Sequence, residues 1–391
     1  MNCNWTFCFG VLCKPVLTSA TAVGLLLFSA FACSHLNSSA LGQTDGVAVK
    51  WNQASLGKLS FDDPASQRYQ FVTRASDIDA RVKAYPEIGF HLGTPKQPAD
   101  LQHASVDTRV APRGKLVIWM MAHNRELFER LNSYGIHAIR VHYANKWFSI
   151  CCQDNPVGEH CRGNIRLEAA VGQDFSDEVN IARPDSMAER AIQYVKWLDR
   201  KNPTGGWSHF LNADKTDLRW DDVIMAGSSH GSTTAARFAK HQKVSRVVTF
   251  CGPRDQYQTW QSLKSATPEN RFFGFTHTLD GGWTGDHYCR SWEMLGMHQF
   301  GKIVNVDEQN IINLDAGQTA VALGNTRRLI TNFDVGGDAK RAHGSVLPGK
   351  RAFQIDKIYQ HENVWRYLFT HPVDQTGLST SQDPACLKEH K

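Results

Sequence analysis

The 391-residue sequence has no internal repeat, no low-complexity tract and no apolar run of comfortable membrane-spanning length. With 41% hydrophobic and 21% charged residues, these absences exclude a disordered chain, a collagen-like rod and a polytopic membrane protein. Charge of one dominant sign is lacking too. The 43 basic residues exceed the 38 acidic ones by only five, and they are scattered along the chain. Phosphate-tracking proteins gather Lys and Arg into a stripe, so no nucleic-acid partner is expected. There is no H-E-x-x-H pair, no Walker loop and no dinucleotide fingerprint, and therefore no cofactor or metal is implied.

What is present begins with the compartment. In the first 33 residues Lys14 is the only charged side chain, and an apolar run follows from Val16 through Leu25-Leu26-Leu27-Phe28 to Ala30-Phe31-Ala32-Cys33. A short apolar core behind a positive charge, closing on small residues, is the pattern of a secretory signal peptide over 1–32. Residues 33–48 are rich in small and polar side chains and fit a flexible tether. Cys33 after Ala32 resembles the acylated cysteine of a bacterial lipoprotein signal, although Ala30 stands where such signals usually carry Leu. A lipidated Cys33 would attach the protein to a membrane, and simple cleavage would release it. Either outcome puts the folded part in a periplasmic or extracellular setting.

Export changes how cysteine is read. Of ten cysteines, six lie in the body: Cys151, Cys152, Cys161, Cys251, Cys289 and Cys386. An even number in an oxidising compartment suggests disulfides, with Cys151 or Cys152 joined to Cys161 as the favoured pair. Zinc on Cys151, Cys152, His160 and Cys161 is the alternative, but the spacing fits no finger pattern.

Along the chain, 49–112 forms an N-terminal extension with strand candidates at Lys58–Phe61 and Tyr69–Thr73 among Pro- and Asp-rich turns. From residue 113 to 371 the pattern is regular. The continuous apolar run at 116–121 reads as a strand covered on both faces and 223–226 as a buried strand, with further strands at 138–143, at 247–250, within 271–279 and at 328–333. Helical patterns intervene at 125–133, 185–200, 230–241 and 356–369, the second opened by a Ser186…Glu189 capping box. Strands alternating with helices imply crossovers, and hence an α/β fold with a mostly parallel central sheet and helices on both faces. Residues 145–183 form a long polar insert and 372–391 a tail.

One motif carries chemistry. Gly227-Ser228-Ser229-His230-Gly231 has the form G-x-S-x-G, directly after the strand Val223–Ala226 and directly before the small-residue helix start Ser232-Thr233-Thr234-Ala235-Ala236. A sharp strand-to-helix turn needs glycine on both sides, and it lifts the Ser229 hydroxyl above the sheet at a helix N-terminus. Here the chain resembles the α/β-hydrolase superfamily over roughly 113–371.

The resemblance implies a nucleophile, an acid and a histidine in that chain order. Ser229 is the implied nucleophile. His343, in Ala342-His343-Gly344, follows the last strand and is the implied base, with His361 and His371 as later rivals. Asp280, after the penultimate strand, is the implied acid, and Asp255 and Asp286 are alternatives. The oxyanion hole would take the His230 main-chain N–H and a second donor near His123 and Asn124, where Asn124 departs from the family's usual glycine. Trp147 in the insert, a candidate lid, and Trp283 beside Asp280 are candidate pocket residues. The expected activity is hydrolysis of an ester, before an amide, in a small-molecule or polymer-linked substrate. A peptidase or acyltransferase using the same triad, and a non-catalytic binding member of the fold, remain as alternatives.

Overall fold

The computed structural model describes residues 59–255, 258–284 and 288–387. The expected signal peptide and tether, Cys33 and Asp286 lie outside these residues. Among the described residues nine strands form one sheet: β1 (Arg68–Arg74), β2 (Leu101–Asp107), β3 (Leu116–Trp119), β4 (His137–Arg140), β5 (Val223–Ser228), β6 (Arg246–Phe250), β7 (Phe272–His277), β8 (Ile303–Asn305) and β9 (Arg328–Thr331). Their order is β1-β2-β4-β3-β5-β6-β7-β9-β8. The run from β4 to β8 is parallel, and only β2 runs against its neighbours.

Alternation of side chains sorts the central strands into two cores. Ile118, Met225 and Val247 face the helices Met187–Lys201 and His230–His241, packing with Ala191, Val195, Ala235 and Phe238. Val117, Ile224, Ala226, Val248 and Phe275 face the helices Arg125–Ser133 and Glu362–Thr370, packing with Leu127, Leu131, Trp365 and Leu368. All these side chains are at most 3% exposed, which is why the central strands read as unbroken apolar runs. Among the described residues no helix is long and apolar enough to cross a membrane.

Several expectations need correction. Residues 59–61 form no strand, whereas β2 and β8 were not foreseen. The insert contains a helix of its own, Cys161–Val171, that packs against the His230–His241 helix. The last helix starts at Glu362 rather than 356, because Asp356 and Lys357 adopt positive φ (50° and 66°) in the turn of a two-residue hairpin. Ser186 does cap Met187–Lys201, accepting from the Glu189 N–H, while the Glu189 carboxylate goes instead to Arg81 and Arg183.

Candidate active site

The turn between β5 and its helix is forced by close backbone approach. A Cβ on Gly227 would lie 2.4 Å from the Gly231 carbonyl carbon, and one on Gly231 would lie 1.6 Å from the Met120 carbonyl oxygen. Between them Ser229 takes φ 53° and ψ −125°, a region that L residues rarely occupy and that costs roughly 1–3 kcal/mol. The surroundings hold it there. Its N–H donates to the Phe250 carbonyl of the adjacent strand (2.9 Å), and its carbonyl accepts from the Thr233 N–H (3.2 Å), the Ser232 hydroxyl (2.6 Å) and the Thr233 hydroxyl (3.2 Å). Ser229 is half-buried at the carboxyl end of β5.

Because β5, β7 and β9 are parallel, whatever follows each of them emerges at the same edge of the sheet. Asp280 follows β7 and is 2% exposed. Its Oδ1 accepts from the Gly282 N–H (2.9 Å), and its Oδ2 accepts from His343 Nδ1 (2.8 Å). With Nδ1–H directed at the carboxylate, His343 Nε2 keeps its lone pair for a proton. His343 follows β9 but sits in a short helix, Ala339–Ser345, rather than in a loop; Asp338 caps that helix by accepting from the Lys340 and Arg341 N–H groups. Sequence reasoning also passed over Cys251, which stands behind this pair. Its thiol donates to the His343 carbonyl, and burial beside the Asp280 charge pushes it well above the usual thiol value. Cys251, Asp280 and His343 place one ligand-type atom each within 4.8 Å of one another. A thiol held protonated is a hydrogen-bond donor rather than a metal ligand, so the group acts as a braced histidine–carboxylate pair.

The rival residues are engaged elsewhere. Asp255 forms a two-pronged ion pair with Arg166 (Nε–Oδ2 2.5 Å, Nη2–Oδ1 3.0 Å), and both side chains are fully buried. His361 Nε2 meets Asp307 Oδ1 at 3.0 Å, and His371 is buried against the Tyr367 ring. Asn124 is the N-cap of Arg125–Ser133, accepting from the Leu127 N–H and donating to the Pro348 carbonyl. His123 stacks on His103 with ring centres 4.0 Å apart. Met120, at the end of β3, is the residue against which Gly231 of the elbow packs.

Arg166, in the insert helix, is a second residue that hydropathy had no means of singling out. Besides Asp255, its Nη1 donates to His230 Nδ1, the His230 carbonyl and the Thr234 hydroxyl, each at 3.1 Å. A guanidinium only donates, so His230 Nδ1 accepts and the proton sits on Nε2. Burial, together with Arg166, Arg254 and Lys146, holds the His230 imidazole well below its ordinary value, and it stays neutral. Trp147 is fully buried with its ring 5.1 Å from that of His230, so it backs the site rather than lining an open pocket. Trp283, half-buried beside Asp280, packs on Trp292 at 5.5 Å. Cys152, not Cys151, is joined to Cys161, and Cys289 to Cys386. Cys151 is a buried free thiol.

The strand order and the strained serine between β5 and its helix define the α/β-hydrolase fold. No family model matches the chain, and no curated protein matches it. Among solved structures it is similar to Thermogutta terrifontis esterase 2 phosphorylated by paraoxon, at 10% identity over 77% of this chain and 92% of that one, with a TM-score of 0.32. It is also similar to XC6422 from Xanthomonas campestris, an α/β serine hydrolase without lid, at 12% identity over 72% and 94%, TM-score 0.30. The similarity to S-formylglutathione hydrolase (FrmB) from Staphylococcus aureus, at 12% identity and TM-score 0.24, covers 48% of this chain and 58% of that one. Likenesses of this order carry nothing about what the present chain acts on.

Proposed function

We propose that the protein is a serine hydrolase that cleaves a carboxylic ester through an acyl-enzyme. The observation that carries this reading is the 2.8 Å bond from His343 Nδ1 to Asp280, at the sheet edge where the strained Ser229 emerges. Ser229 Oγ attacks the ester carbonyl while His343 Nε2 takes its proton. The tetrahedral oxyanion accepts from the His230 N–H at the helix start and from a second main-chain N–H in the segment after β3. Collapse breaks the bond to the alcohol oxygen, which leaves with the proton from His343. Water then repeats the sequence and releases the acid. An alkoxide leaves more readily than an amide nitrogen, which favours ester over amide.

Export belongs to the same reading. It is supported by the apolar segment ending at Ala32-Cys33 and by disulfides that persist in oxidising compartments. Acylation of Cys33 would tether the enzyme to a membrane, and the mass of the mature N-terminal peptide tests this.

The test of the chemistry is labelling of the oxidised protein with a fluorophosphonate, followed by mass mapping. The label is expected on the Ser229 peptide and is lost in Ser229→Ala and His343→Ala. A folded protein that takes no label, or turnover surviving in Ser229→Ala, would overturn the proposal.

A further inference from the structure

Beside the serine the protein gathers positive charge around one ring. The Phe148 ring lies 5.3 Å from that of His230, the residue after Ser229. The guanidinium carbons of Arg162, Arg254 and Arg166 lie 5.4, 5.8 and 5.9 Å from the Phe148 ring centre. Lys146, two residues before Phe148, is exposed and adds to the field on His230. These groups come from three separate segments: the loop after β4, the insert helix and the loop after β6. Each of the three segments reaches the same sheet edge as Ser229.

Only part of this charge is neutralised. Asp255 is spent on Arg166, both of its oxygens being engaged there. Arg254 has interactions of its own. Arg162 is half-buried and Lys146 exposed, and among the described residues neither has an ion pair or hydrogen bond. Like charges so close repel, and attraction to the Phe148 face offsets only part of that repulsion. The Trp147 indole N–H, fully buried in the same cluster, also has no acceptor. A surplus of donors and positive charge beside a nucleophile suits an anionic group arriving with the substrate, since charge-assisted bonds to a carboxylate are the strong ones.

We infer that the ester cleaved at Ser229 carries a carboxylate close to the scissile bond, bound by Arg162, Arg254 and Lys146 around Phe148. The inference rests on the hydrolase reading above and deepens it. The geometry leaves the anion to either half of the ester, so the experiment uses both. On the acyl side, the mono-para-nitrophenyl ester of glutaric acid is compared with para-nitrophenyl pentanoate. On the alcohol side, para-acetoxybenzoate is compared with its methyl ester. Each kcat/KM is corrected for uncatalysed hydrolysis.

In at least one pair the anionic member is expected to be favoured by about tenfold or more, as one or two charge-assisted bonds would give. That preference should shrink in about 1 M salt, where the screening length falls to about 3 Å. It should also fall in Arg162→Gln and in Lys146→Gln, both checked for an unchanged melting temperature. A ratio of one or below in both pairs overturns the inference, as does a preference that survives salt and both substitutions. Fluorophosphonate labelling of Ser229 separates the two levels. Label without anion preference sinks the carboxylate alone, and absence of label sinks the hydrolase reading with it.

Discussion

Gly231 and Met120 are in such close contact that a Cβ on the glycine would fall 1.6 Å from the Met120 carbonyl oxygen. The contact locks the first turn of the His230–His241 helix against the end of β3. It therefore sets the spacing between the His230 amide and the segment after β3 that supplies the second oxyanion donor. Gly231→Ala must push the two segments apart. Turnover should fall by about 10²–10³, the typical effect of losing one oxyanion donor. Stability should fall by about 1–3 kcal/mol, the usual effect of overpacking. Steady-state kinetics and thermal melting read the two effects. Unchanged kcat would show that this contact does not position the hole.

Asp280 and Asp255 are separated by their partners, and substitution should separate them again. Asp280→Asn retains the shape but presents an amide to His343 Nδ1, favouring the wrong tautomer. Turnover is expected to drop on the order of 10⁴ while the melting temperature barely moves. Asp255→Asn leaves the fully buried Arg166 guanidinium without its counter-charge. Loss of one partner of a buried pair destabilises by about 3–5 kcal/mol, so here the melting temperature should fall first. The reverse pattern would transfer the acid role to Asp255.

The histidines buried away from the site predict an acid-labile fold. Burial pushes His137 down to about 4, and it pushes His142 and His371 down to about 3. In the unfolded chain each titrates near its ordinary value of about 6.5. Between those limits the unfolded state binds more protons than the folded state, so stability rises with pH and is lost as pH falls from about 6.5 toward 3. The slope is at most about 1.4 kcal/mol per pH unit for each such histidine. Denaturant midpoints measured across this range should show the decline, and His142→Asn should flatten it. A midpoint that stays constant down to about pH 4 would contradict the neutral burial of these rings.

What was legible in the sequence follows from how local each constraint is. The elbow could be read because Gly227 is pressed against Gly231 with Ser229 between them, all within five residues, and because β5 is apolar on both faces, although the Met120 carbonyl that also requires Gly231 lies far back in the chain. β2 escaped notice because its buried positions include Gln102 and Ser105, each 1% exposed, so no apolar run marks it. The insert helix escaped for a related reason. Its buried face carries Arg166 and Glu168, whose partners lie far along the chain or in the following loop. Glu168 accepts from the Phe175, Ser176 and Ile181 N–H groups and so shapes the segment after the helix. Hydropathy scores such residues as solvent-facing, and only their partners, distant in sequence, make them interior. The choice of Asp280 over Asp255 was open for the same reason, since each follows a parallel strand and the partner decides.

The disulfide between Cys152 and Cys161 makes the last prediction, because it ties the segment carrying Trp147 and Phe148 to the first residue of the insert helix, next to Arg162. Closing so short a loop restricts the unfolded chain by about 2–3 kcal/mol on the entropic account. Cys161→Ser should therefore lower the melting temperature by several degrees, and reduction of the wild-type protein should lower it in the same direction. The bond does not touch Ser229, His343 or Asp280, so fluorophosphonate labelling of the folded variant should persist. What should weaken is the register between Phe148 and Arg162, whose guanidinium lies 5.4 Å from that ring. The preference for carboxylate-bearing esters should thus decline in Cys161→Ser by more than turnover of the neutral esters does. Equal losses on both substrates would mean that the disulfide supports the fold without holding the cationic cluster in place.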